Sequence, residues 1–198
     1  MRTAIKLILL YLVIAQIIAP ILVMIPCVIY QIITTGSFNN EALMNMIIIP
    51  AQLTGQLMML IYLWKAGYIS KQKTTWSPIS GSYLLLSVLA ILSCTFVVSA
   101  ITDLMKWIPN IMEFPFKILQ SNWIGILVIS LIGPIFEELL FRGAITKALL
   151  QQYNPTKAIL LSAFLFGVIH INPAQILPAF LIGILLTWIY YKTASLIP

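Results

Sequence analysis

Two adjacent glutamates inside an apolar stretch are the residues of this chain best suited to do chemistry. The sequence has five acidic residues, and Glu137 and Glu138 are two of them, within the mostly apolar run 131–143. A carboxylate in such a run is costly to bury, which makes it a functional candidate by default. Glu138 and Arg142 are four residues apart, so on a helix they share one face and are predicted to form an ion pair.

Glu137 points roughly 100° away from Glu138 on the same helix. Its own face carries Gly133 and Ala144, which leave space for a water molecule or a substrate backbone. A purely structural alternative is that Glu138 and Arg142 form an interfacial pair while the small residues allow close helix packing. That alternative leaves the second glutamate unexplained.

The single histidine of the chain, His170, is predicted to lie level with these glutamates. A turn is expected near Asn154, and both Glu138 and His170 are 16 residues from it along the sequence, one on each side. At 1.5 Å per residue both lie about 24 Å from the turn, so two antiparallel helices would bring them to one depth. Arg142 and Phe166, each 12 residues from the turn, are predicted to be level as well.

A carboxylate and an imidazole at one level in an apolar setting indicate hydrolysis. The carboxylate can take a proton from water, and the imidazole can stabilise the oxyanion that forms when water attacks a carbonyl. A metal held by Glu137, Glu138 and His170 is a less favoured alternative because zinc sites seldom rely so heavily on carboxylates. No cofactor is therefore predicted, although a metal is not excluded. Asp103 is the only aspartate, so an aspartyl pair is impossible.

The elements that must position these residues are membrane helices. Of the 198 residues, 61% are hydrophobic and only 8% are charged, whereas a typical soluble domain is about a quarter charged. The composition predicts an all-α, polytopic membrane helix bundle that forms a single membrane domain over 1–198. The candidate residues place its predicted catalytic core at about 122–198. Six spans are expected, at about 7–31, 43–64, 82–101, 122–141, 157–171 and 174–190, the last two being short.

The basic residues indicate topology rather than a nucleic-acid partner. The net charge is +6, but the lysines and arginines are scattered through short loops between apolar runs. Lys65, Lys71 and Lys73 fall on the same side as both ends of the chain if six spans alternate, so both termini are predicted to be cytoplasmic in a multi-pass protein of the cell membrane. The first span is expected to be retained rather than cleaved as a signal peptide. No disulfide is indicated between Cys27 and Cys94.

The segment 103–121 lies between the third and fourth predicted spans. It is expected to be irregular or partly helical and to lie at the outer interface, where its aromatic side chains would anchor it. A lid over a membrane cavity is the alternative role for this segment.

Two motifs on consecutive apolar helices resemble those of the CPBP family, the CAAX-protease and bacteriocin-processing membrane proteins, also called Abi. Glu137, Glu138 and Arg142 match Glu-Glu-x-x-x-Arg, and Phe166 and His170 match Phe-x-x-x-His. The resemblance covers about 122–198. It implies an intramembrane endopeptidase of the glutamate type acting on a peptide or protein substrate. In this scheme Glu137 activates water, Glu138 and Arg142 support it, and His170 helps to bind the water or the oxyanion.

The pattern of the resembled family also includes a further helix with a second histidine and an asparagine, which these 198 residues do not contain. Two explanations stay open: a truncated sequence, or a degenerate member. In the degenerate case the chain is expected to be a membrane adaptor or bacteriocin self-immunity protein that binds a membrane peptide. A small transporter with Glu137 and Glu138 in an ion path is a third possibility, which the scarcity of polar residues in the first three spans disfavours.

Overall fold

A computed structural model describes residues 1–69, 76 and 78–196, and among these residues the fold is entirely helical. The predicted all-α class is therefore confirmed. Seven helices occur in the described ranges: α1 (Arg2–Thr35), α2 (Asn40–Lys65), α3 (Gly81–Leu104), α4 (Glu113–Gln120), α5 (Trp123–Leu150), α6 (Pro155–Val168) and α7 (Pro173–Thr193).

Five of these helices, α1, α2, α3, α5 and α7, are long and apolar enough to cross a membrane, which makes the chain a multi-pass membrane protein. The sixth span predicted at 157–171 is present only as a shorter helix, α6. Helix α6 has 14 residues, or about 21 Å of helix, against a hydrocarbon core of about 30 Å. It ends early because Asn172 precedes Pro173, and a residue before proline is disfavoured in the helical region. The last helix is correspondingly longer than predicted, with 21 residues.

The side of the membrane on which the termini lie stays a prediction. Lys71, Lys73 and Pro198, on which the predicted orientation partly rests, lie outside the described residues. Segment 103–121 is partly helical, as predicted, because it contains α4. Cys27 and Cys94 are both free in this structure.

Helices α1 and α5 are interrupted by π-helical turns. Two of these turns, Ile14–Ile18 and Val128–Ile132, end just before a proline, Pro20 and Pro134. Proline lacks an N–H, and its ring clashes with the carbonyl four residues earlier, so a widened turn accommodates it. The third π-helical turn, Phe141–Thr146, contains no proline, and all six of its residues are buried.

The described residues form two compact units, and the division within α5 falls between Glu137 and Glu138. The first unit contains Lys6–Ala66 and Met112–Glu137. Within it, α1 and α2 approach closely at Gly55, where an added Cβ would lie 3.2 Å from the Cα of Ala15. Their connection is fixed at Gln31, whose amide nitrogen donates to the carbonyl oxygen of Asn39 over 3.0 Å.

The first unit also contains α4, which carries an exposed ion pair. The Glu113 Oε1 and Lys117 Nζ atoms are 2.7 Å apart. A hydrogen bond from Lys117 and the charge of its ammonium lower the pKa of Glu113. Because both side chains are largely exposed, this pair contributes little to stability.

The second unit contains Met1–Ile5, Gly67–Ile111 and Glu138–Pro198. Within it, α6 and α7 are antiparallel and very close. An added Cβ on Gly167 would lie 2.6 Å from the carbonyl oxygen of Ile176, and one on Gly183 would lie 3.2 Å from the Cα of Ala163. Helix α3 packs on α7. The two glycines thus allow the backbones of α6 and α7 to meet without intervening side chains.

Candidate active site

The predicted ion pair between Glu138 and Arg142 is present. The Glu138 Oε1 and Arg142 Nη1 atoms are 3.0 Å apart, and the two residues are one helical turn apart on α5. The Arg142 side chain is 1% exposed and the Glu138 side chain 33% exposed. The guanidinium is therefore held in the interior, while one third of the glutamate side chain stays accessible.

Arg142 also contacts the two helices that follow. Its Nη2 atom is 3.5 Å from the carbonyl oxygen of Gly183 on α7, and its guanidinium carbon lies 5.0 Å from the centre of the Phe166 ring on α6. The Phe141 ring meets the Phe166 ring edge to face at 5.0 Å. Arg142 and Phe166 are thus level, as the equal spacing from the turn predicted, and a cation–π contact joins them.

His170 lies in the turn after α6 and not on the helix, which corrects the expectation of a helix through residue 171. Its ring packs edge to face on Phe166, with 5.1 Å between ring centres. Its Nδ1 atom is 2.7 Å from the carbonyl oxygen of Phe166. A carbonyl oxygen only accepts hydrogen bonds, so Nδ1 carries the proton. In the neutral ring Nε2 is then an acceptor, and it donates only when the ring is a cation.

The turn that carries His170 is fixed by Asn172, which the sequence analysis missed. Asn172 is fully buried. Its Nδ2 donates to Asn110 Oδ1 over 2.8 Å, and its Oδ1 accepts from the backbone N–H of Ile111 over 3.2 Å. Ile171, which lies between His170 and Asn172 in the sequence, has a φ of 52°, an unusual value for a β-branched residue. The Asn-Pro dipeptide at 172–173 is a turn signal that could have located this feature.

Glu137 is the last residue of the first unit and is half-buried. Within that unit, Gly133 is one helical turn before it, and the amide nitrogen of Gln56 lies 3.8 Å from the position of a Cβ on Gly133. The space predicted beside Gly133 therefore contains a polar side chain. The Gln56 Oε1 atom is buried without a hydrogen-bond partner among the described residues. Sequence reasoning missed Gln56 because a single glutamine in an apolar span carries no motif.

Glu138, Arg142, Phe166 and His170 thus form one continuous series of contacts inside the second unit, running from an ion pair through an aromatic ring to an imidazole. Glu137 adjoins this series along α5, and its place in a catalytic set stays a prediction. The described residues contain no group of three His, Cys, Asp or Glu side chains that could hold a metal ion.

A multi-pass helical membrane protein with these motifs is similar to known membrane peptidases. Residues 119–198 match the family model "Type II CAAX prenyl endopeptidase Rce1-like". The chain is also 33% identical over 76 residues to a protein of Bacillus subtilis (strain 168) described as "Putative membrane peptidase YdiL". That match covers 38% of this chain and 31% of the relative, so the chain spans about a third of the relative's length.

The segment that matches the family model contains every candidate site residue, so the predicted similarity to CAAX-type membrane peptidases is confirmed there. No solved structure matches the chain.

Proposed function

We propose that this protein is a membrane-embedded endopeptidase of the CAAX-protease type, which hydrolyses a peptide bond in a membrane-associated peptide or protein. The observation that carries the proposal is the continuous contact series from Glu138 through Arg142 and Phe166 to His170. It lies inside the segment that matches the endopeptidase family model.

Glu137 is the proposed general base. The motif resemblance assigns this role to Glu137, while Arg142 holds the adjacent Glu138 in an ion pair. Water gives one proton to Glu137, and its oxygen adds to the carbonyl carbon of the peptide bond. The C–N bond of the tetrahedral intermediate then breaks, and the proton on Glu137 passes to the departing amine. General-base assistance of this kind contributes roughly 10²–10⁴-fold to a rate.

His170 is the proposed partner of the oxyanion. Because Phe166 holds the proton on Nδ1, the neutral ring has only a lone pair at Nε2. It can then accept a hydrogen bond from the attacking water. As a cation it donates from Nε2 to the oxyanion, where a positioned donor is worth roughly 10²–10³-fold. The buried contact with Phe166 orients the ring for either role.

The direct test is cleavage of a membrane peptide by purified protein in lipid nanodiscs. Wild type is expected to cleave, and Glu137→Gln, which keeps the shape but cannot take a proton, is expected to lose at least 10²-fold. Glu113→Gln is the matched control, since Glu113 is an exposed carboxylate on α4, and it should keep full activity.

A chelator arm and a binding arm complete this experiment. If a chelator abolishes cleavage and added zinc restores it, the reaction uses a metal, and activation of water by Glu137 alone is contradicted. A folded wild type that binds peptide without cleaving it, with Glu137→Gln binding equally well, would contradict the peptidase proposal. That result would instead identify a non-catalytic adaptor or self-immunity protein.

A further inference from the structure

A groove on the surface of the second unit runs along α6 and is separate from the contact series of the candidate site. Its volume is about 560 Å³. Polar residues form one end of the groove and apolar residues the other: Asn154, Thr156 and Lys157 at the first, and Leu160, Phe164 and Phe180 at the second. The groove is thus amphipathic along its length.

The order of these residues follows from the helix. Lys157, Leu160 and Phe164 lie at positions i, i+3 and i+7, so they share one face of α6 over about 10 Å. Phe180 forms the opposite wall from α7, where its Cβ lies 3.3 Å from the position of a Cβ on Gly167. Leu160 is 46% and Phe164 55% exposed. The apolar end therefore offers aliphatic and aromatic surface to a ligand.

The polar end of the groove is cationic. Gly183 lies opposite Ala163, so the start of α6 and the end of α7 are at the same end of this helix pair. Lys157 lines the groove there, and Lys192 lies near that end of α7 without lining the groove; the Lys157 ammonium is 4.7 Å from the centre of the Tyr153 ring. A cation–π contact leaves the positive charge in place.

No carboxylate balances this charge among the described residues of the second unit. Asp103 pairs with Lys106, and Glu138 pairs with Arg142. The start of α6 adds the partial positive charge of a helix N-terminus, although the Lys157 N–H itself is capped by Asn154 Oδ1 over 2.9 Å. The groove thus presents positive charge at one end and an apolar surface at the other.

We propose that the groove binds one anionic glycerophospholipid. Its phosphate lies at Lys157, beside Thr156 and Asn154, and one acyl chain lies along Leu160, Phe164 and Phe180. The charge complementarity favours this occupant, because an anionic lipid is an amphipathic molecule that carries a phosphate next to an acyl chain. Juxtamembrane lysines attract anionic lipids in the same way. The proposal uses none of the candidate catalytic residues and stands independently of the proposed peptidase function.

The test measures lipid binding to the purified full chain by native mass spectrometry, with phosphatidylglycerol and phosphatidylcholine of identical acyl chains. Wild type is expected to retain phosphatidylglycerol more tightly. Lys157→Gln, which keeps a flexible polar side chain but removes its charge, should weaken that binding about fivefold. Lys106→Gln is the matched control, because its lysine is already paired with Asp103. Equal affinity for the two lipids in wild type, or no effect of Lys157→Gln, would overturn the proposal.

The apolar end is tested by Phe164→Ala, which should weaken the binding of both lipids, with the exposed α3 residue Phe96 changed to alanine as the control. Thermal unfolding midpoints of the variants establish that each is folded. Competition by inorganic phosphate equal to that by phosphatidylglycerol would contradict the need for an acyl chain. A dimer that Phe164→Ala disrupts, or a membrane peptide that displaces lipid without any preference for charge, would assign the groove to another occupant and refute the proposal.

Discussion

Two stretches of the second unit lie in opposite surroundings: the more apolar stretch is mostly exposed and the more polar one is buried. In α3 the buried residues are Ser87 and Val98, and most of its leucines and valines are exposed on the outside of the unit. In the turn Phe141–Thr146 of α5 all six residues are buried, including an arginine and a threonine. Hydropathy alone therefore does not tell which part of a membrane chain is interior. Polar and small residues mark the interior, because lipid already solvates apolar side chains.

The largest difference in stability between variants of the two stretches is expected for substitution of Arg142. Arg142→Met leaves Glu138 without its ion-pair partner and removes the contacts to Gly183 and Phe166. We expect a loss of about 3 kcal/mol in the free energy of unfolding, near the lower end for a broken buried pair because a third of Glu138 is exposed. The measurement is thermal unfolding in detergent, with Phe96→Ala in α3 as the control.

The double variant Glu138→Gln, Arg142→Met distinguishes loss of the pair from loss of packing. It should be more stable than Arg142→Met alone, because no uncompensated carboxylate remains. Equal destabilisation by Arg142→Met and Phe96→Ala would break the comparison between the two stretches.

The next effect is steric and concerns the glycine on which α6 and α7 meet. An added Cβ on Gly167 would lie 2.6 Å from the Ile176 carbonyl oxygen, whereas one on Gly81 in α3 would meet nothing within 4 Å. Gly167→Ala should therefore destabilise by about 1–3 kcal/mol, as overpacking does. Gly81→Ala should be neutral or stabilise by up to about 1 kcal/mol. Equal shifts in the unfolding midpoints, or a higher midpoint for Gly167→Ala than for Gly81→Ala, would show that the close contact of α6 and α7 does not hold the unit together.

A smaller effect is expected for the hydroxyl groups. The Thr146 and Ser162 side-chain oxygens are 2.7 Å apart and buried, whereas Thr95 in α3 bonds only to the carbonyl of its own helix, that of Ile91, and is exposed. Thr146→Val leaves the Ser162 hydroxyl without this partner and should cost about 1–2 kcal/mol. Thr95→Val should stay within about 0.5 kcal/mol of wild type. If Thr146→Val were as stable as Thr95→Val, the buried hydrogen bond would not contribute to the interior.

The sequence predicted the parts of the site that depend on helix periodicity. Four-residue spacing predicted the ion pair between Glu138 and Arg142, and equal distance from Asn154 predicted that Arg142 and Phe166 would be level. Long apolar runs predicted five of the six expected spans in the same way. Each inference needed only the regular rise and rotation of a helix.

The features that the sequence did not reveal depend on packing between segments. His170 lies in a turn because Asn172 bonds to Asn110, 62 residues away, and no local pattern reports such a partner. The π-helical turn at Phe141–Thr146 contains no proline that could have indicated it in the sequence. Helix α6 ends before its apolar run does. The sequence did not reveal this because hydropathy reports the environment of side chains and not the path of the backbone.

The most direct test of the central claim, that the contact series ending at His170 is an active site, is the effect of His170→Ala on activity and stability measured together. Peptide cleavage in nanodiscs should fall by on the order of 10²–10³-fold, while the unfolding midpoint stays close to that of wild type because the ring is only partly buried. Phe96→Ala should leave both quantities unchanged. A His170→Ala protein that is folded and cleaves the peptide at the wild-type rate would contradict the account.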